Sequence, residues 1–515
     1  MATHEERIQE WQQREQAALQ MGGAKRVARQ HAKGRLTARE RINLLLDPNS
    51  FDELGRIAHS DVAQHASATA SDGKVTGFGE IEQQTVFVSA DDVTVMAGAG
   101  GRVGTGKQFK WAQFSAEKGY PIIHLGDAGG ARVPDIMGSD GMMSMVYPVS
   151  GAARERRVPQ ITTIMGICYG GPGWTAAVSD IIIQVKGAVM AVGGPSILQV
   201  ATGEQATPEE LGGWEMHAYT TGQVDLFAES EYECLALVRR VLSYLPANAN
   251  QPPPYTPPSP QPPTSSPLSI VPADSKLGYD MHDVVHAIVD AGSFLELKPD
   301  YDPSLITGFA RLDGHVVGII ANNPNYNAGA MGPGACDKAT SFIVLCDSFH
   351  IPLLFLHDTP GFLIGKSAEM AGMPRRIMQW IEALHHCTVP RISVVVRKSY
   401  GMAHCNMSGG NMGNELLLAW PNSEVSFVAP EVAVSIVYGR KIAQMDDQQK
   451  AWEDFSAELN RANAPWAAAG RNFIDKIIHP DDTRAELIRA LARARGSNGE
   501  GQRSQRKMAN WPRIR

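Results

Sequence analysis

Along this chain, short runs of aliphatic and β-branched residues alternate with longer stretches whose apolar positions recur at helical spacing. The runs TVFVSA, PIIHLGD and PQITTIMG fall in the first half, and HVVGIIAN, PLLFLHD and PRISVVVR in the second, each close to a Gly or Pro turn. Apolar runs of this length bounded by turn residues predict buried strands. The stretches GKQFKWAQFSAEKG and CDKATSFIVLCDSF predict amphipathic helices between strands, with Lys107 and Lys338 opening them. Strand and helix in alternation imply an α/β fold of βαβ units around a buried parallel sheet.

The two halves repeat one another. Thr76-Gly77-Phe78 recurs as Thr307-Gly308-Phe309, 231 residues later. The same offset carries Lys107 to Lys338, Pro121 to Pro352, Asp127 to Asp358, Gly130 to Gly361, Pro159 to Pro390, Tyr169 to Tyr400 and Gly170 to Gly401. A register held without a gap over that distance predicts two tandem copies of one domain. Between them lies QPPPYTPPSPQPPTSSP, where proline removes helix and ladder hydrogen bonds and favours extended chain. The expected organisation is an N-terminal domain over 1–250, a Pro-rich linker over 251–267, a C-terminal domain over 268–495 and a flexible basic tail over 496–515.

Composition narrows the partners. A chain of 515 residues with 43% hydrophobic residues can bury two cores. A formal charge of −7 argues against general nucleic-acid binding, which needs a basic surface. The six cysteines (Cys168, Cys234, Cys336, Cys346, Cys387 and Cys405) form no CxxC pair, so neither a zinc ribbon nor a disulfide framework is expected, and no metal. The polar N-terminus lacks the apolar core of a signal peptide, and no apolar run reaches membrane-spanning length. These features predict a cytoplasmic protein that binds no membrane.

Candidate chemistry sits at two turns. The strand ITTIMGICY runs into Gly170-Gly171, and ISVVVRKSY into Gly401-Met402-Ala403, each followed by a predicted helix. The first N–H groups of a helix have no intrahelical partner and lie at its positive end, so small residues there let an oxyanion reach the backbone. The alternative is that repeated Gly and Pro mark the same packing turns twice. Asp127 and Asp358 end buried strands, and read either as caps of the following helix or as proton-transfer groups. Trp174 reads as a core residue or as the cap of a pocket.

Several separate stretches add specificity: QHAKGRLTARERINLLLD (Gln30 to Asp47), DAGGARVPD (Asp127 to Asp135), ATGEQATPEELGG (Ala201 to Gly213), DTPGFLIG (Asp358 to Gly365) and RKSYGMAH (Arg397 to His404). Through them the chain resembles, over nearly its whole length, the carboxyltransferase (beta) subunits of biotin-dependent acyl-CoA carboxylases, such as those for propionyl-CoA and methylcrotonyl-CoA. The resemblance implies two tandem crotonase-like domains of the ClpP/crotonase superfamily, paired head to tail between subunits of a dimer-based hexamer. It implies transfer of carboxylate from N1-carboxybiotin, carried on a separate biotinylated alpha subunit, to the α or vinylogous γ carbon of an acyl-CoA. By the same resemblance, Gly170 and Gly171 meet the thioester oxygen, and Met402 and Ala403 the biotin ureido oxygen. Gly129 and Gly130 line the acyl pocket, and Gly361, Phe362 and Gly401 approach biotin. Lys25, Arg26 and Arg29, with Lys33, Arg35, Arg39 and Arg41 of the same basic run, hold CoA phosphates, unless they form only a solvated helical face.

Both charges that develop in such a transfer fall on oxygens, one on the thioester and one on the ureido group, so two amide clusters are what the reaction needs. The chain departs from the family at Met402, where a small residue is usual, at His404 and Cys405, and around the first turn at Ile167-Cys168-Tyr169 and Pro172-Gly173-Trp174. No Met-Lys-Met biotin attachment motif occurs, so the biotin must come from a partner. The same site run backwards would make a decarboxylase or transcarboxylase subunit. A biotin-independent crotonase-type hydratase or isomerase would need a carboxylate acid/base, with Glu204 and Glu369 as candidates. A non-catalytic scaffold subunit is the remaining alternative.

Overall fold

In the computed structural model, residues 2–144, 155–258, 265–496 and 504–511 are described. Contacts divide the chain into two compact units, Met1–Gln251 and Pro252–Ile514. The middle of the expected linker, 259–264, and parts of the expected tail, 497–503 and 512–515, lie outside the described residues.

The first unit is built on an eight-stranded sheet. Its strands are β1 (Asp52–Leu54), β2 (Lys74–Ile81), β3 (Gln84–Asp91), β4 (Ile122–Ala128), β5 (Gln160–Tyr169), β6 (Ile181–Val185), β7 (Val189–Ala191) and β8 (Leu226–Ala228). They run in the order β1-β2-β3-β4-β5-β6-β8, with β7 on the far end of β5. From β3 to β8 the sheet is parallel, while β1, β2 and β3 pair antiparallel. The expectation of a parallel sheet therefore holds for the core and not for the edge. The reason is local: Glu82 and Gln83 both adopt positive φ, 52° and 67°, giving the two-residue reversal whose twist suits a hairpin.

The second unit repeats this plan with β9 (Leu295–Leu297), β10 (Leu305–Leu312), β11 (His315–Asn322), β12 (Leu353–Thr359), β13 (Arg391–Tyr400), β14 (Leu416–Ala419), β15 (Glu424–Ser426) and β16 (Lys476–Ile477). The offset read from the sequence is the offset of the strands: β2, β3, β4 and β5 map end for end onto β10, β11, β12 and β13 at 231 residues. Even the isolated bridge Gly100–Ala131 recurs as Met331–Phe362. The helices predicted after β3 and β11 span Arg102–Lys118 and Pro333–Ser348, so Lys107 and Lys338 stand in their second turns rather than opening them. In the second unit, Met281, Val285 and Ile288 of one helix and Leu487 and Leu491 of another close over Ile306, Val317, Leu354 and Val394 of the sheet. Each such side chain contributes roughly 1.5–3 kcal/mol on burial.

Both units have an irregularity at the same place. The ladder between β4 and β5 shifts register between Gly126 and Ala128, and that between β12 and β13 between His357 and Thr359. The residue left in the gap is Asp127 in one and Asp358 in the other. Asp127 accepts the Ile167 N–H at 3.3 Å and the Arg41 guanidinium at 3.0 Å. Asp358 accepts the Lys398 N–H at 3.3 Å, the Arg397 guanidinium at 2.9 Å and the Tyr279 hydroxyl at 2.8 Å. Each aspartate thus supplies the acceptor that the bulged neighbour lacks, and a buried arginine neutralises it. Neither is a helix cap, and in each both oxygens are engaged by these donors.

Described parts of linker and tail, 252–258 and 504–511, make fixed contacts that proline content and polarity do not predict. The Thr256 N–H donates to Gly314 C=O at 3.1 Å, and Arg311 donates to Pro254 C=O at 2.9 Å. At the other end, the Ser504 hydroxyl donates to Asp347 at 2.9 Å, while Met508 and Ala509 are buried. The expected flexible tail is therefore seated over 504–511, because a buried carboxylate at the end of the Pro333–Ser348 helix captures its serine.

Candidate active site

At the end of β5 the chain turns through Gly170, at φ 63° and ψ −120°, into the helix Gly171–Ala177. Only glycine reaches that conformation without strain. The turn does not free both amides, however. The Gly170 N–H donates to Ala191 C=O at 3.1 Å, because β7 continues alongside β5. Pro172 has no N–H, so Gly171 carries the free amide; among the described residues no acceptor takes it. The Gly129 N–H is likewise spent, on Ala97 C=O at 3.0 Å, and Gly129 faces outward. Gly130, at φ 105°, keeps its N–H free of any acceptor among the described residues. Of the expected pair Gly170 and Gly171, only Gly171 keeps an amide without an acceptor among the described residues, and Gly130 is a second such amide.

Both glycines line a cavity of about 160 Å³ between the sheet and the Arg102–Lys118 helix. Trp174 lines it as well and is half-exposed, which settles its reading as a pocket residue rather than core. Phe109, Leu125, Ala131 and Pro172 supply apolar wall. The inner end, absent from the sequence reading, is polar: Lys74, Ser89, Asp91, Gln108 and His124 all line it. Lys74 pairs with Asp91 and donates to Gly98 C=O at 3.0 Å. The second Asp91 oxygen accepts the Asp127 N–H at 3.1 Å, so this carboxylate has no lone general-base role. Gln108 Nε2 lies 3.3 Å from His124 Nδ1, and burial, with Lys74 nearby, pulls the ring down to about 4. His124 is therefore neutral at physiological pH.

Lys107 does not line this cavity. Its Nζ donates to the carbonyls of Gly55, Ser71 and Lys74 at 3.1, 2.9 and 2.6 Å, which anchors the start of β2. Burial pulls Lys107, and in the other unit Lys338, down to about 8. These are structural lysines.

The corresponding turn of the second unit is Gly401, at φ 59°, opening the helix Gly401–Asn406. Met402 and Ala403 lie in its first turn, where helix geometry leaves the N–H groups without intrahelical acceptors. Ala403 is buried, and Met402 is 42% exposed. Gly361 takes φ 136°, donates its N–H to Thr359 Oγ1 at 3.1 Å and accepts from the Met331 N–H at 3.1 Å. Phe362 stacks edge-on against Trp380, ring centroids 6.4 Å apart. Behind the turn, Ser399 Oγ bridges His357 Nδ1 at 2.9 Å and His404 Nδ1 at 2.8 Å. Burial draws His404 down to about 4. His404 therefore braces the short helix from behind, and Cys405 faces Asn411.

The basic run separates into two sets. Lys25, Arg26, Arg29 and Lys33 are exposed, with only Arg26 reaching a partner among the described residues, Thr94 C=O at 3.4 Å. Arg39 pairs with Glu53, and buried Arg41 pairs with Asp127 and Glu231. Arg39 and Arg41 are consequently framework residues and are withdrawn from the phosphate set. Glu204 and Glu369 are exposed and line no part of the cavity, which removes the acid/base that a hydratase would need. Among the described residues no cluster of metal-ligating side chains occurs, and no helix is long and apolar enough to cross a membrane.

With this geometry in place, the comparisons converge. Residues 29–508 match the carboxyl transferase domain family. A propionyl-CoA carboxylase carboxyltransferase subunit of Haloferax mediterranei is 37% identical, covering 95% of this chain and 96% of its own length. The methylmalonyl-CoA carboxyltransferase 12S subunit of Propionibacterium freudenreichii subsp. shermanii is 36% identical over 95% of this chain and 94% of its own. A methylmalonyl-CoA decarboxylase subunit alpha of Veillonella parvula is 36% identical over 96% of each. In three dimensions the chain superposes on a transcarboxylase 12S structure, a hexamer with methylmalonyl-coenzyme A bound, at a TM-score of 0.90 and 36% identity over 96% of both chains.

Proposed function

The chain belongs to the carboxyl transferase domain family, and from that premise we propose that it is the carboxyltransferase subunit of a biotin-dependent acyl-CoA carboxylase. It moves carboxylate from N1-carboxybiotin, held on a separate biotinylated subunit, to the α-carbon of an acyl-CoA. The observation that carries the reading is the pair of turns at equivalent points of the repeat. Gly171 opens one short helix and Met402, 231 residues later, lies in the first turn of its counterpart, each at a free amide edge.

In this reading the amides of Gly171 and Gly130 receive the thioester oxygen as charge develops on loss of the α-proton. Such a donor is worth roughly 10²–10³ in rate. Met402 and Ala403 receive the ureido oxygen, with Gly361, Phe362 and Gly401 forming the approach. Carboxybiotin supplies the activated carboxyl group and, after its transfer, the base. Exposed Lys25, Arg26 and Arg29 hold the CoA phosphates. Exposed apolar side chains, among them Phe427, Ile436 and Val437 in one unit and Val192, Ile197 and Val200 in the other, are covered by further copies of the chain in a dimer-based hexamer. The N-terminal unit of one copy serves the C-terminal unit of another. The protein acts in the cytoplasm.

The test is reconstitution with biotinylated alpha subunits, bicarbonate, ATP and a panel of acyl-CoAs. Biotin-dependent incorporation of carboxylate establishes the reaction and its direction. The transcarboxylase and decarboxylase relatives give the reverse direction a specific basis. No incorporation, with biotin-dependent decarboxylation of a carboxyacyl-CoA, assigns the protein to that branch.

A further inference from the structure

The cavity behind Gly171 has a polar inner end that its fold does not require. The internal repeat provides the control. At the offset of 231, Lys74 becomes Leu305, Ser89 becomes Ile320, Gln108 becomes Ala339 and His124 becomes Phe355, and all four replacements are buried in the second unit. The same strands and the same helix therefore close over aliphatic and aromatic side chains without loss. In the first unit those positions hold a lysine at 3% exposure, a serine at 1% and a histidine at 8%.

These side chains leave hydrogen-bonding capacity aimed at the cavity they line. The Ser89 hydroxyl has no partner among the described residues. With His124 Nδ1 facing the Gln108 amide, the ring proton rests on Nε2, which likewise has no partner among the described residues. Lys74 uses two of its three N–H groups, on Asp91 and Gly98. A buried donor without an acceptor is costly, so the set fits a ligand that brings an oxygen. The Lys74–Asp91 pair is neutral as a unit and His124 is uncharged, so the site offers no net positive charge to a carboxylate. The remaining wall, Phe109, Leu125, Ala131 and Trp174, fits hydrocarbon between that oxygen and the thioester.

We propose that this pocket selects acyl-CoA thioesters whose acyl group ends, away from the thioester, in an uncharged oxygen function, a hydroxyl or a keto group, in preference to the plain alkyl acyl group of equal length. The proposal rests on the reading of Gly171 as the thioester amide. His124 stands four residues upstream of Ala128, the end of β4 nearest the glycine turns, so the oxygen is read deeper in the cavity than the reacting carbon.

The experiment pairs butyryl-CoA with 3-hydroxybutyryl-CoA and acetoacetyl-CoA, and adds succinyl-CoA, using the full chain. Calorimetric binding of each ester is measured without partner subunits, and kcat/KM for carboxylation is measured in the reconstituted complex. The expected result is a preference on the order of 10²-fold for the oxygenated esters over butyryl-CoA, in binding as in kcat/KM, the penalty for leaving a buried donor unpaired. His124→Phe and Ser89→Ile, which import the residues of the second unit, should shift the preference toward butyryl-CoA. Ser89→Ala, which only deletes a hydroxyl, should reduce it if the larger replacements do not fold. Equal or stronger binding of butyryl-CoA, or preference for succinyl-CoA, overturns the proposal. If no ester is carboxylated, the functional reading fails while the binding preference still decides the pocket.

Discussion

At the scale of single residues, the decisive distinction is between amides that are spent and amides that are free. Gly171 is the first residue of its helix, and a Cβ placed on it meets nothing within 4 Å. Proline is tolerated at that helical position and has no N–H. Gly171→Pro should therefore lower kcat by about 10²–10³ while leaving the thermal midpoint within a degree or two, as read by a carboxylation assay beside calorimetry. An equal loss of stability and activity would assign the turn to packing alone. Arg41 carries the opposite expectation. It is enclosed by Asp127 and Glu231, and removing it leaves two buried carboxylates without their cation. Arg41→Met should cost roughly 3–5 kcal/mol in urea unfolding. By contrast, Lys25→Ala with Arg29→Ala should leave the urea midpoint unchanged and raise KM for acyl-CoA severalfold, most at low salt. A drop in stability with no change in KM would return those residues to the solvated face.

At the scale of elements, the pattern made three strands of each unit legible, β3 to β5 and β11 to β13, and both turns with them. Glycine and proline positions recur because backbone geometry recurs. What the repeat could not reveal was which amides the neighbouring strand consumes. The Gly170 N–H is lost to β7, a three-residue strand too short to leave a pattern. The aspartates at the bulges were ambiguous for a similar reason, since their partners Arg41 and Tyr279 lie far away in sequence. The polar end of the cavity could have been found, because His124 against Phe355 and Lys74 against Leu305 are mismatches in an otherwise apolar register. Behind the second turn, the bridge from His357 through Ser399 to His404 ties strands to the Gly401–Asn406 helix. His404 titrates near 4 when folded against 6.5 in the open chain, so the unfolded state binds its proton first on acidification. Stability should thus be intact above about pH 6.5 and decline from there toward pH 4. Urea midpoints across that range should fall less steeply in His404→Gln, and an unchanged slope would mean that other groups govern the acid limb.

At the scale of the molecule, the proposed function divides one reaction between the free amide edges of two copies of a single fold. Beside these shared features the surroundings of the two edges differ: the polar cavity belongs to the first, and the His357–Ser399–His404 bridge to the second, where the equivalent first-unit positions are Gly126, Cys168 and Gly173. Divergence of that kind is what tandem halves show once each serves a different partner. If the N-terminal unit of one copy serves the C-terminal unit of another, chains damaged in different halves must rescue each other. Gly171→Pro disables the thioester side, and Met402→Pro removes an amide on the ureido side. Neither chain alone should turn over. Co-folded in equal amounts, half of the dimers carry one of each, and in those one of two sites combines an intact N-terminal with an intact C-terminal unit. Activity should return to about a quarter of the unmodified protein's. A site completed within one chain predicts no recovery at any mixing ratio, so the mixing curve separates the two assemblies. Recovery that follows the product of the two chain fractions would identify the dimer as the smallest working unit.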